Sequence, residues 1–316
     1  MLAESLEAEP GVSVLNFSFR AALVGKYDVY HSHWPEILVS GHGPLKKVAR
    51  QLLALTFLAR LAISRTPIVR TIHNVERPDG IGRRESALLD LIDRMTAVRI
   101  RLNPTTEVAS GQAFETIPHG HYRSWFAPYD KREGIRGQLG YFGLIRRYKG
   151  VETLVRAFRQ TEGGGGDLTL RLGGKPSTPE LEAVITGLTD GDDRVSTSLH
   201  FLPDSELVDI VTSSEVIVLP YRFMHNSGGA LTALSLDRPI LVPDNPVNRL
   251  LADEVGDGWV YRYSGELTPD ILRDTVTAVR ADGRSDQPNL SAREWSDAAQ
   301  RHVAAYRRAI QIRHPR

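Results

Sequence analysis

The stretch Val216–Pro243, VIVLPYRFMHNSGGALTALSLDRPILVP, decides the fold. Its apolar opening, Val216–Leu219, reads as a buried strand. A loop ending Asn226-Ser227-Gly228-Gly229 follows, then a helix over Ala230–Leu236 and a second strand over Pro239–Val242. Strand, Gly/Ser loop, helix and strand form one unit of an α/β protein. Glycines before a helix leave backbone N–H groups unpaired at the positive end of the helix dipole. That arrangement suits a phosphate, and equally an ordinary Gly-rich cap.

Outward from this unit the chain keeps the same rhythm. Upstream, Leu139–Gly143 is a candidate strand, Val151–Thr161 a helix and Leu168–Leu172 a strand ending at Gly173-Gly174-Lys175. A helix (Pro179–Leu188) and a strand (Val195–Phe201) follow. Asp204 is the expected N-cap of the helix Ser205–Thr212. The glycines at 163 to 166 read as a surface turn because no helix follows them. The N-terminal half offers strands at Val12–Phe19, Val29–His33, Pro67–His73, Ala97–Leu102 and Phe114–Ile117, with helices at Leu45–Ser64 and Glu85–Arg94. Such βαβ alternation implies parallel sheets covered by helices on both faces. Pro128–Gly137 is charged, breaks the pattern and reads as an interdomain linker. The expected organisation is a domain over 1–130, a second over 138–290 and a terminal helix over 291–316. Both domains are doubly wound, and in open α/β sheets ligands sit beyond the carboxyl ends of the strands.

Composition excludes several classes. Net charge is +1 across 316 residues, so no global field favours nucleic acid. There is no cysteine, which rules out disulfides and thiolate metal sites and is compatible with a cytoplasmic enzyme. No apolar run approaches the roughly 20 residues of a membrane span, and no signal peptide opens the chain. The nearest approach to an Asp-x-Asp metal motif, Asp190-Gly191-Asp192-Asp193, reads as a solvated turn, so no metal site is expected.

The polar motifs lie just after predicted strands. Gly143-Leu144-Ile145-Arg146-Arg147-Tyr148-Lys149-Gly150 is a basic loop ahead of a helix. Arg146 and Lys149 with free N–H groups would neutralise a diphosphate, and a solvated surface loop is the plainer alternative. His31-Ser32-His33-Trp34-Pro35-Glu36 holds two histidines without a third ligand nearby. They read as binding-site residues rather than a metal pair, with His33 or Glu36 able to accept a proton from a hydroxyl. The plainer alternative is one buried hydrogen-bonding histidine and a helix-capping Glu36. His73 and Asn74 suit sugar hydroxyls, with Glu76 and Asp79 as alternative bases. His119 leaves another strand end. Segment 20–70 carries eight Lys or Arg against two acids, and its helix is strongly apolar. A buried sheet-packing helix explains this, and so does peripheral docking of 44–70 on an anionic membrane.

These motifs together resemble the GT-B nucleotide-sugar glycosyltransferases. The likeness is to the large glycogen-synthase-like group that holds bacterial mannosyl- and glucosyltransferases. His31-x-His33-Trp34-Pro35, His73, Ile117-Pro118-His119-Gly120, Lys149-Gly150-Val151 and Leu219-Pro220-Tyr221 through Pro239 carry it, over nearly the whole chain. The Asn226-Ser227-Gly228 to Arg238-Pro239 block looks most like exopolysaccharide mannosyltransferases. The resemblance implies two Rossmann-like domains facing a cleft, with the terminal helix returning to the first.

It also implies hexose transfer, with GDP-mannose as the nearest donor, to a glycan or lipid-linked acceptor at the inner membrane face. No cofactor or metal would be needed. His73 would sit beside the sugar. Arg146, Lys149, Asn226, Ser227, Gly228 and Gly229 would hold the diphosphate. Gly173, Gly174, Lys175, Pro203 and Glu206 would hold base and ribose, and His31, Asn74 and His119 would line the cleft.

Departures are specific. Leu144 stands where the family has arginine, leaving Arg146 as the expected replacement. The family's paired glutamates fall at Met224 and Thr232. The family's first strand is expected ahead of Met1–Ala8, which reads as the next helix. A non-catalytic GT-B module binding a nucleotide sugar or glycan is the rival reading, with a same-fold epimerase behind it.

Overall fold

The computed structural model describes residues 1–41, 43–74, 80–161 and 168–315. They form two units, Met1–Gly120 with Ala292–Arg316, and His121–Ser291. The expected glycine turn at 163–166 and the alternative bases Glu76 and Asp79 lie outside the described residues.

The first unit contains four parallel strands: β1 (Tyr30–Ser32), β2 (Ile68–Ile72), β3 (Thr96–Arg101) and β4 (Phe114–Thr116), in the order β1-β2-β3-β4. Successive side chains alternate between the sheet faces. One face packs on helices. Ile68 there joins Phe57, Leu58 and Leu61 of the helix Pro44–Ile63, and the Tyr30 ring meets Phe57 edge-on at 4.8 Å. On the other face Val69, Val98 and Ile100 pack on Ala298, Ala305 and Ala309 of the helix Trp295–Arg313. The small alanines let that long helix lie close to the sheet.

The expected strand Val12–Phe19 is not formed. Residues 12–17 join no ladder, and Phe19 begins a short helix, Phe19–Val24, capped by the Ser18 hydroxyl. Val12 and Val14 pack instead on Leu6, Ala299 and Val303, so the terminal helix takes the apolar side chains that a sheet would have used.

The second unit has six parallel strands: β5 (Gln138–Phe142), β6 (Thr169–Gly173), β7 (Val195–Ser198), β8 (Val216–Val218), β9 (Ile240–Pro243) and β10 (Val260–Tyr263). Their order, β10-β9-β8-β5-β6-β7, is the doubly wound Rossmann arrangement. The winding reverses between β5 and β8, which pair directly. β5 and β8 are buried throughout, as central strands covered on both faces must be.

The boundary between units falls at Gly120/His121, ahead of the expected linker. Pro128–Gly137 is anchored within the second unit. Tyr129 donates to Asp204 (3.2 Å), Lys131 pairs with Asp237 (3.1 Å) and the Ile135 N–H donates to the Ser213 carbonyl (2.7 Å). Arg132 likewise pairs with Asp209, a partnering of two of its cations that composition alone does not reveal. Asp204 likewise does not cap its helix. Pro203 occupies the N-cap, and the Asp204 carboxylate accepts from Trp125 Nε1 and Tyr129.

Candidate functional site

In the second unit the two loops expected to bind phosphate meet where the sheet reverses. The loop after β5 runs through a 3-10 turn, Arg147–Lys149, into the helix Val151–Arg159. The loop after β8 runs through Tyr221 to the helix Gly228–Ser235. Arg222 N–H donates to the Tyr148 carbonyl at 2.9 Å, joining them. Gly150 allows the approach. Its φ is +66°, and a Cβ there would lie 2.3 Å from the Pro220 carbonyl oxygen.

Lys149 is held in this junction, its ammonium 4.9 Å above the centre of the Tyr221 ring. Burial, with the neighbouring Arg146 charge, lowers its pKa to about 8. No carboxylate pairs with it among the described residues. A half-buried cation with no carboxylate partner is suited to an anionic ligand. Close by, the Ser227 hydroxyl accepts from Ala230 N–H at 3.2 Å. Gly228 and Gly229 open the helix, so their N–H groups are among its orphan donors. Ser227 therefore acts as a cap, and the glycines remain the backbone donors. Arg146 and Asn226 sit in the same two loops.

The Gly173-Gly174-Lys175 loop runs against the first of these. Gly143 N–H donates to Gly173 and Ile145 N–H to Lys175, both at 3.0 Å. A Cβ on Gly174, whose φ is +146°, would lie 1.8 Å from the Gly143 carbonyl oxygen. These glycines thus serve backbone packing first. Glu206 is engaged by His200 Nε2 at 2.8 Å, a bond that holds its carboxyl below the usual range. Pro203 begins the same helix. At the two positions where the family carries glutamate, Met224 is buried and its carbonyl accepts from Asn245 Nδ2 (3.0 Å), while Thr232 is buried in the helix. Packing occupies both.

In the first unit, strand alternation gathers the histidines. His31 lies on the β1 face turned to the terminal helix, and His33 follows two residues on. Val69, Thr71 and His73 share that face of β2 and its end. His31 hydrogen-bonds Tyr306 through Nδ1 (2.7 Å) and Thr71 through Nε2 (2.8 Å). His33 Nδ1 and His73 Nε2 are 3.0 Å apart, and Trp34 stacks on His73 at 4.6 Å. His302, from the terminal helix, donates through Nδ1 to the Ala298 carbonyl (2.6 Å), its ring 5.5 Å from His31. His119 donates to the Gly120 carbonyl (2.8 Å) and meets Trp295 edge-on.

Burial keeps this cluster neutral. It pushes His31 far below the ordinary histidine value, and mutual repulsion within the cluster adds to the effect. His33 falls to about 4 and His73 to about 3 for the same reasons. Each ring therefore offers one donor and one acceptor at neutral pH. Among the described residues no group of three or more His, Asp or Glu is arranged to hold a metal ion. Asp192 of the acidic turn is taken by Arg194, through bonds of 2.7–3.1 Å.

Glu36 opens the short helix Glu36–Val39, and its Oε2 is buried without a hydrogen-bond partner. The plainer expectation, that Glu36 caps the helix, is not met, since Pro35 is the N-cap. Asn74 is exposed at the end of β2. Tyr306, His302 and Thr71 join the histidine cluster, and motif reading gave the first two no role in it. The first two come from a helix over 200 residues away in sequence.

A Rossmann-ordered sheet with an unpaired lysine and open helix N–H groups at its reversal defines a nucleotide-binding class of α/β protein. No family model matches the chain. A GDP-mannose:glycolipid 4-beta-D-mannosyltransferase from Xanthomonas campestris pv. campestris is 42% identical over 294 residues, which are 93% of this chain and 83% of that protein. In fold, the chain is similar to a sucrose-phosphate synthase from Thermosynechococcus elongatus (TM-score 0.62, 16% identity, 91% of this chain and 75% of that one). It is likewise similar to the catalytic domain of starch synthase IV from Arabidopsis thaliana (TM-score 0.63, 13% identity, 93% and 76%). The chain belongs to the GT-B nucleotide-sugar glycosyltransferases, in the family of the Xanthomonas mannosyltransferase.

Proposed function

We propose that this glycosyltransferase moves mannose from GDP-mannose to a hydroxyl of a glycolipid, with inversion at the anomeric carbon and without a metal ion. The unpaired Lys149 ammonium at the junction of the two loops carries the reading. Its support in sequence is the Xanthomonas relative, whose name specifies donor, glycolipid and a β linkage. A β product from an α-linked sugar nucleotide requires attack from the opposite face and a base for the hydroxyl proton.

The second unit binds the donor. Lys149, Arg146 and the N–H groups of Gly228 and Gly229 take the diphosphate. The loops at Gly173–Lys175 and Pro203–Glu206 take nucleoside. The first unit binds the acceptor. Its oxygen bonds to the anomeric carbon, the bond from that carbon to the phosphate oxygen breaks, and the nucleoside diphosphate leaves with the electron pair. Lys149 and the helix N–H groups stabilise the charge that develops there. The acceptor proton passes to Glu36, whose Oε2 has no competing partner. His33 and His73 are neutral and act as donors and acceptors to sugar hydroxyls rather than as strong bases.

The enzyme works at the cytoplasmic membrane face. The helix Pro44–Ile63 supports this, since its outward side carries Leu45, Val48, Leu52 and Leu55, all exposed, with Lys46 and Arg50 near its start. No described helix is long and apolar enough to cross a membrane.

Isothermal titration with GDP, UDP, ADP and dTDP, without metal, tests the donor site. GDP is expected to bind best, and Lys149→Ala to weaken it about 10- to 100-fold, the worth of a charge-assisted hydrogen bond. Absence of binding to all four overturns the reading. The non-catalytic rival is separated by His73→Ala, which in an enzyme lowers turnover and leaves GDP affinity intact.

A further inference from the structure

Tyr122 stands at the very start of the second unit. Its backbone N–H donates to the Ser235 hydroxyl at 2.9 Å, and that hydroxyl donates to the Leu231 carbonyl at 2.6 Å. Leu231 and Ser235 belong to the helix Gly228–Ser235, so the backbone of Tyr122 is fixed to the far end of that helix. The ring packs on the core of the second unit, 6.1 Å from the Phe126 ring. Held in this way, the side chain brings its hydroxyl to the helix start. A Cβ on Gly228 would lie 3.5 Å from the Tyr122 hydroxyl oxygen, an ordinary contact. Glycine leaves the place of that methyl open, beside the orphan N–H groups of the first turn. The other phenol at this end, Tyr221, is engaged by Ser227, the helix cap. Burial raises the Tyr122 phenol above its ordinary value of 10, so it keeps its proton at neutral and mildly alkaline pH and serves as an uncharged donor.

We propose that the Tyr122 hydroxyl donates to a phosphate oxygen of the bound sugar nucleotide, across the space that Gly228 leaves open. This rests on the reading of the second unit as the donor side, and it adds a contact that no glycine or basic residue marks in the sequence. A diphosphate presents several anionic oxygens, and hydrogen bonds to them are charge-assisted. As the bond from sugar to phosphate breaks, negative charge grows on the diphosphate. A fixed donor beside it then favours the transition state over the ground state.

The test is calorimetry of the whole chain with GDP at pH 7 and pH 9, for wild type, Tyr122→Phe, Gly228→Ala and the double variant. Tyr122→Phe keeps the ring and removes only the donor. It should weaken GDP about 10- to 100-fold, the worth of a hydrogen bond to a charged group. The loss should be the same at both pH values, because the phenol keeps its proton where Lys149 gives up its own. The melting temperature of the nucleotide-free protein should stay nearly unchanged. Gly228→Ala puts a methyl into the open space and should weaken GDP as well. Both substitutions strike one contact, so the double variant should lose little more than the weaker-binding single variant. Unchanged GDP affinity in Tyr122→Phe, a loss confined to pH 7, a loss matched by a lowered melting temperature, or fully additive losses overturn the assignment. GDP binding by wild type that Tyr122→Phe leaves intact removes Tyr122 alone, whereas no GDP binding by wild type removes the donor reading itself.

Discussion

Lys149 and Glu36 are both buried in part and, among the described residues, lack the counter-charges that structural ions acquire. For Lys149 the consequence is a pH dependence with a definite sign. Its pKa near 8 in the free protein means the ammonium is present below that value and lost above it. An anionic nucleotide favours the charged form, so GDP affinity is expected to be level at neutral pH and to fall as pH rises through about 8. Calorimetry across pH 6.5 to 9.5 checks this, and the fall should vanish in Lys149→Ala. Glu36→Gln keeps the shape and removes the proton acceptor. Turnover should drop by at least about 100-fold, the usual contribution of general base catalysis, while GDP affinity stays unchanged. A kcat equal to wild type would transfer the role to another residue.

Among the elements, the helix Pro44–Ile63 carries two surfaces. Ala54, Phe57, Leu58 and Leu61 face the sheet, while Leu45, Val48, Leu52 and Leu55 face outward. Leu52→Glu with Leu55→Glu should leave the melting temperature nearly unchanged, since both side chains are exposed. The pair should abolish co-sedimentation with vesicles containing anionic phospholipid. Retained binding by the double variant would place the membrane contact elsewhere.

Sequence periodicity revealed this helix and nine of the ten strands, because buried parallel strands write themselves as short apolar runs. It missed β10, whose Val260–Tyr263 mixes apolar and charged residues at a sheet edge. It misjudged Val12–Phe19, where alternation is genuine but the partner is a helix. The loops after β5 and β8 were legible because glycine and basic residues mark them locally. Tyr306 and His302 were not, because a hydrogen bond between His31 and Tyr306 spans 275 positions and leaves no local trace.

For the molecule as a whole, the histidines make the two units unequal toward acid. His31, His33, His73, His119 and His302 all belong to the first unit, and all have depressed pKa values. Unfolded histidine takes up a proton near pH 6.5. The unfolded chain therefore binds more protons than the folded one below that pH. Stability of the first unit is full above about 6.5 and declines as pH falls toward 4 and then 3. In the second unit His225 alone shows such a shift. Acid unfolding monitored by tryptophan emission should thus begin with Trp34 and Trp295, before Trp125 and Trp259. Single-tryptophan proteins resolve the order, and simultaneous transitions would contradict it.

The first unit is built from two distant pieces of chain, Met1–Gly120 and the stretch from Ala292, with the whole second unit threaded between them. During synthesis its sheet emerges long before the helix that covers one face. Val69, Val98 and Ile100 must wait uncovered until Ala298, Ala305 and Ala309 arrive, and His31 waits for Tyr306. The later-emerging second unit has all its strands in one continuous run and is free to fold first. A chain interrupted before Ala292 would therefore carry a complete second unit and an exposed, sticky first sheet. Quality control would meet a product with a complete second sheet that cannot shelter the histidines of its first unit.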